Sequence, residues 1–145
     1  METESVSLRI QADVLRSVAC SAVSPHEICG LLLGELGDDE VRVVGWQACR
    51  NRLRSASAFE IEPIDYRDVE KGADRDGLRI VGLIHSHPGG SACLSRSDIH
   101  AATRIWGESS DWVYLVYAPL AVDGNLWGAW MIRRGEAREI AVNVE

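Results

Sequence analysis

Two histidines stand one residue apart, His85 and His87, and Asp98 follows eleven positions after the second. In extended backbone, residues i and i+2 point to the same side, so both imidazoles can meet at one point at a strand end. Two imidazole nitrogens and one carboxylate suit Zn²⁺. Three protein ligands leave the fourth tetrahedral position open, as in catalytic rather than structural zinc sites. A water held in that position has its pKa lowered to about 7. It still needs a carboxylate to carry its proton. Glu27 suits that task best. It opens the apolar run Ile28–Gly34, so it belongs at a strand end beside buried surface. Burial there raises a carboxyl pKa, while a nearby metal lowers it. Glu60 and Glu62 are weaker candidates, on an alternating segment whose polar side is expected to be wet.

Each residue also has a plainer use. A lone HxH usually means nothing, Asp98 alone is an acid favoured at a helix N-terminus, Glu27 alone is a surface acid, and Ser95 is an N-cap. His26 and His100 have no partner at a telling spacing and read as surface groups or supports behind the site. The combination carries the metal reading. A serine nucleophile is disfavoured, because Ser86 points away from both histidines and no GxSxG elbow is present. Cys93 lies in the loop before Ser95. It is a plain loop residue, a nucleophile paired with a histidine, or a regulatory thiol that reaches the open metal position. The other cysteines, Cys20, Cys29 and Cys49, form no CxxC pair and read as idle thiols.

The elements that must position these groups follow from periodicity. "LRIQADVLRSVACSAVS" carries its apolar residues at helical spacing, and "EICGLLLG" is a short continuous apolar run that suits a buried strand. "EVRVVGWQACRN" reads as a second strand and "SAFEIEP" as a half-buried one. "PIDYRDVEKGADRDG" reads as a short helix. "LRIVGLIHSHP" is a strand stopped by its proline, with Ile80, Gly82 and Ile84 on one face and Val81, Leu83 and His85 on the other. "SRSDIHAATRIWGES" is a helix with Ser95 at the N-cap and Asp98 at its third position, which predicts a capping box. The glycine-rich loop 88–94 lets that helix start fold back toward the histidines. "DWVYLVYAP" is a strand, and "NLWGAWMIRRGEAREIAVNV" reads as a hairpin about Arg134-Gly135. Six or seven strands mixed with two or three helices predict an α/β or α+β domain with a central sheet.

The bulk numbers fit one soluble globular domain over residues 1–145: 46% hydrophobic, 26% charged. A net charge of −7 argues against a nucleic-acid binder, which would show a basic patch. No apolar stretch is long enough to span a membrane, and the polar, acidic N-terminus lacks a signal layout, so the expected location is cytoplasmic. The five tryptophans are expected to pack in the core, with a homodimer interface as the alternative for any that reach the surface.

The pattern Glu27, then His85-Ser86-His87-Pro88, then Ser95-Arg96-Ser97-Asp98 resembles the JAMM signature of the MPN-plus metalloproteases. "PHEICGLLLG" resembles that family's strand opening, and "CRNRLRSASAFEIEP" its Asn, Phe, Pro segment. The resemblance implies a cytidine-deaminase-like α/β/α sandwich around a curved mixed sheet. It implies zinc held by His85, His87 and Asp98, with Glu27 as general acid/base. Ser95 would donate a hydrogen bond to the developing oxyanion. The activity implied is that of a peptidase or isopeptidase. The small stand-alone prokaryotic members that this chain resembles act on ubiquitin-like or sulfur-carrier proteins ending in Gly-Gly. Two other readings of the same fold are a non-catalytic MPN scaffold and a zinc hydrolase of small peptides. The chain departs from many bacterial and archaeal members at Ser91 and Leu94, where they carry proline, so its loop is looser.

Overall fold

The computed structural model describes residues 6–22, 27–53, 59–107 and 111–145. Among these residues an eight-stranded mixed sheet runs in the order β7-β6-β5-β4-β2-β3-β1-β8. The strands are β1 Ser7–Ile10, β2 Cys29–Leu36, β3 Glu40–Cys49, β4 Arg79–Ser86, β5 Trp112–Tyr117, β6 Trp127–Arg133, β7 Glu136–Glu139 and β8 Val142–Val144. The helices are α1 Ala12–Ser21, α2 Pro63–Arg75 and α3 Arg96–Trp106. Strands β2 and β4 are antiparallel neighbours, and β4 and β5 are parallel, joined through α3.

The sheet has a core on each face. On one side, Val14 and Val18 of α1 pack with Leu8, Leu32, Val43, Ile84, Leu115 and Met131. On the other, Val69 of α2 and Ala102 of α3 pack with Leu31, Leu83, Tyr114, Val116 and Ile132. The result is the α/β/α layering that the family resemblance implies, around the central sheet expected from the periodicity. β4 is buried along most of its length, which explains its run of apolar residues without alternation.

Four local readings change. Leu8 and Ile10 belong to a strand, and the helix starts only at Ala12. These two residues are fully buried at the sheet's far side, and pairing of β1 with both β3 and β8 overrides the helical spacing. The C-terminal segment does not end as a hairpin arm. β6 and β7 do form the hairpin, with Arg134 at φ 51° and Gly135 at φ 75°, the left-handed pair that a two-residue turn needs. The chain then crosses to place β8 beside β1. In β4, the pairing with β2 jumps from Gly82 to Ile80, so Val81 is an extra, bulged residue. The bulge puts Val81 with Ile84 on the α1 side and Ile80 with Leu83 on the other, the reverse of simple alternation. Of "SAFEIEP", residues 57–58 lie outside the described residues. The rest makes a single bridge, Asn51 with Ile61, and buries Phe59 and Ile61.

Candidate metal centre

β4 delivers His85 at its end and His87 one residue beyond it. The chain folds back through residues 88–94, and α3 begins with the predicted capping box. The Asp98 N–H donates to Ser95 Oγ (3.1 Å), and the Ser95 N–H donates to Asp98 Oδ2 (2.9 Å). The cap fixes Asp98 over the histidines. Asp98 Oδ1 lies 3.2 Å from His85 Nε2, Asp98 Oδ2 lies 3.2 Å from His87 Nε2, and the two Nε2 atoms are 2.7 Å apart. Glu27 enters from the start of β2, with Oε1 3.5 Å from His85 Nε2. One ligand atom from each of Glu27, His85, His87 and Asp98 lies within 4.8 Å of the others.

The donor set fits a metal ion. A tetrahedral zinc with bonds of 2.0–2.1 Å separates its ligand atoms by about 3.3 Å, close to the spacings here. His87 Nδ1 lies 2.7 Å from the Ser91 carbonyl. Only an N–H can donate to a carbonyl, so Nδ1 carries a proton, and Nε2 is the ring nitrogen turned to the centre, free to serve as a ligand once it gives up any proton it shares with Asp98. Glu27 Oε1 is buried without a hydrogen-bond partner, which is costly for a carboxylate unless a cation or proton answers it. His85 is oriented by rings: Phe59 stacks on it at 4.8 Å and Tyr114 meets it edge-on at 4.9 Å.

Electrostatics separates the two acids. Burial raises the Glu27 pKa to about 7, with His87 pulling it down and Asp98 pushing it up. Burial also disfavours an ionised Asp98. There, however, the hydrogen bonds from His85 and His87, the charge of His85 and the Ser95 N–H prevail and hold it well below the usual carboxylate range. Burial lowers the pKa of His85 against the pull of Asp98. At His87 burial is outweighed by Asp98, the Ser91 carbonyl and Glu27, and the pKa rises. One acid thus stays ionised beside the histidines and the other is poised to exchange a proton near neutrality.

Supporting residues escaped the sequence reading. Ser86 faces away from the centre, but it is structural rather than idle: its Oγ accepts from the Ile28 N–H (2.9 Å) and pins the backbone beside Glu27. The Asn51 side chain donates to the Glu27 carbonyl (3.1 Å) and accepts from the Leu53 and Glu60 N–H groups. Asn51 and Phe59 had a signal, the Asn and Phe of the segment before Pro63; Tyr114 had none beyond its place in an apolar strand. Glu60 and Glu62 stay outside the centre and face Arg52. Cys93 is exposed and does not join the group of metal-ligating atoms. Cys29 and Cys49 oppose each other across β2 and β3. Burial pushes both thiols up to about 12, reinforced at Cys29 by Cys49 and then Glu27 and Asp65, and at Cys49 by Asp65, which leaves them inert as nucleophiles. His100 is exposed on α3, and His26 lies outside the described residues.

A two-histidine, one-aspartate centre with a second acid poised near neutrality, at the end of a central strand, defines a metal-dependent hydrolase. Residues 10–138 match the family Prok-JAB, prokaryotic homologs of the JAB domain, and the chain belongs to that family. With this centre it is a zinc metallopeptidase of the JAMM type. It is 32% identical over 109 residues to the desampylase of Pyrococcus furiosus, covering 69% of this chain and 73% of that protein. It is 34% identical over 100 residues to the 26S proteasome non-ATPase regulatory subunit 14 of Dictyostelium discoideum, covering 66% of this chain but only 32% of the subunit. The solution structure of protein DSY2949 from Desulfitobacterium hafniense superposes with a TM-score of 0.80 at 20% identity, over 95% of this chain and 92% of that one. That likeness concerns the fold. No helix among the described residues is long and apolar enough to cross a membrane.

Proposed function

We propose that the chain is a zinc-dependent peptidase or isopeptidase that cleaves after the C-terminal Gly-Gly of a ubiquitin-like or sulfur-carrier protein. The convergence of Glu27, His85, His87 and Asp98 on one point carries this reading. The likeness to a desampylase supports the substrate class. His85, His87 and Asp98 hold the metal. Zinc, when bound, supplies Lewis-acid polarisation of the scissile carbonyl and acidifies water to a pKa of about 7. Glu27 takes a proton on its carboxylate from the attacking water and returns it to the leaving amine, a task that suits an acid whose burial raises its pKa against the pull of a metal. The exposed Ser95 hydroxyl, at the head of α3, donates to the developing oxyanion. A tail ending in two glycines lets substrate backbone approach the centre closely.

Glu27→Gln tests the assignment. Zinc content is measured together with turnover of a ubiquitin-like protein fused through its Gly-Gly end. Retained zinc with turnover reduced by about 10²–10⁴ is expected. Retained zinc with full turnover would remove Glu27 from the mechanism. A panel of short peptides beside the fusion separates this activity from general peptide hydrolysis.

A further inference from the structure

The strand pairings place Cys49, Cys29, His85, Val116 and Gly128 in one lateral row across β3, β2, β4, β5 and β6. The row ends at a residue with no side chain. A Cβ built on Gly128 would lie 2.4 Å from the Ala92 carbonyl oxygen and 2.5 Å from the Trp130 ring. Gly128 is not among the glycines with positive φ, so it is needed for space rather than for conformation. Through that space the loop after His87 settles onto β6, and Ala92 is buried there. The peptide just before it presents the Ser91 carbonyl to His87 Nδ1 at 2.7 Å.

We infer that Gly128 is a positioning residue of the metal centre: it seats the Ala92 peptide on β6 and thereby sets the Ser91 carbonyl that orients His87. The inference rests on the proposed role of His87 as a zinc ligand. Real contacts to a Cβ begin at 3.0–3.4 Å, so a methyl group at Gly128 must lift the Ala92 carbonyl by 0.6–1.0 Å. The Ser91 carbonyl belongs to the adjoining peptide and moves with it. A 2.7 Å hydrogen bond displaced by that much loses most of its strength. His87 then loses the contact that fixes its tautomer and ring orientation, and losses of this kind cost about 10–100-fold in metal affinity.

The test compares Gly128→Ala in the natural sequence and in a Trp130→Leu background, which removes the ring clash but leaves the backbone clash. Zinc dissociation constants are measured by chelator competition, and absorption spectra of the Co²⁺-substituted proteins report ligand geometry. Gly45→Ala, whose Cβ meets nothing within 4 Å, is the control. The expected result is a zinc dissociation constant raised about 10–100-fold by Gly128→Ala in both backgrounds, with an altered Co²⁺ spectrum and no change for Gly45→Ala. Ala92→Leu overfills the buried seat of the same peptide and is expected to act in the same direction. It carries the test if Gly128→Ala does not fold. Restored affinity in the Trp130→Leu background would overturn the inference, as would folded variants that bind zinc like the natural protein. If the natural protein itself bound no zinc, the role given to His87 would fail first, and the inference with it.

Discussion

Replacing Glu27 by glutamine should make the metal-free protein more stable at neutral pH. Glu27 is 3% exposed, and its pKa rises from 4.5 to about 7 chiefly through burial. A carboxyl with a raised folded pKa binds its proton more tightly in the native state. Its contribution to stability is therefore full below pH 4.5, where both states are protonated. It is lost as pH rises to about 7, where the native group ionises as well. A shift of that size corresponds to about 3 kcal/mol. Glutamine has nearly the same shape and does not ionise, so Glu27→Gln should escape this loss. In chelator-treated protein, urea unfolding of the natural chain and of Glu27→Gln should give similar stabilities near pH 4.5 and diverge by up to about 3 kcal/mol at pH 8. In thermal unfolding that is about 10 °C at this chain length. Asp98 stays ionised across this range in both proteins, and the loss of the Glu27 charge also lowers the His87 pKa, so the divergence reports Glu27 together with its coupling to His87. Parallel pH profiles for the two proteins would refute the claim that burial poises this acid.

Other perturbations separate the supporting residues from the metal-binding ones. Phe59→Ala removes the ring stacked on His85 and should cost about 3–5 kcal/mol in stability, with weaker zinc binding measured by chelator competition. Asn51→Ala breaks the link between the Glu27 carbonyl and the backbone of Leu53 and Glu60. It should cost about 1–3 kcal/mol in denaturant unfolding and lower kcat while zinc content stays stoichiometric. Ser86→Ala leaves the buried Ile28 N–H without its partner and should cost about 1–3 kcal/mol by the same assay, yet retain turnover, which a serine nucleophile would not. Cys93→Ser should alter neither zinc affinity nor turnover, because the thiol is exposed and outside the metal-ligating group.

The centre was more legible in the sequence than the fold around it. His85 and His87 announce themselves through the period of a strand, and Asp98 through the chemistry of a helix cap. Both are local rules, and the structure follows them. Glu27, which alone would read as a surface acid, was reachable only in combination with the two histidines and Asp98, because it opens an apolar run. What escaped depends on pairings between distant strands. Leu8 and Ile10 fit a helix in isolation and become a strand only because β3 and β8 flank them. The bulge at Val81 is set by the partner strand, so β4 alone could not reveal that Val81 and Ile80 exchange faces. That Ser86 points away from both histidines could be read, but not what it does there, because its partner, the Ile28 N–H, lies 58 positions away. Gly128 gave no signal, since a glycine needed for space is indistinguishable in sequence from one needed for a turn.

Reconstitution tests the central claim most directly. Metal-free protein is titrated with Zn²⁺ while cleavage of a Gly-Gly-linked ubiquitin-like fusion is followed. No cleavage is expected without metal, then a linear rise with added zinc and saturation at one equivalent, with His87→Ala failing to respond. Undiminished cleavage by the metal-free protein, or stoichiometric zinc with no cleavage of the fusion, would contradict the claim.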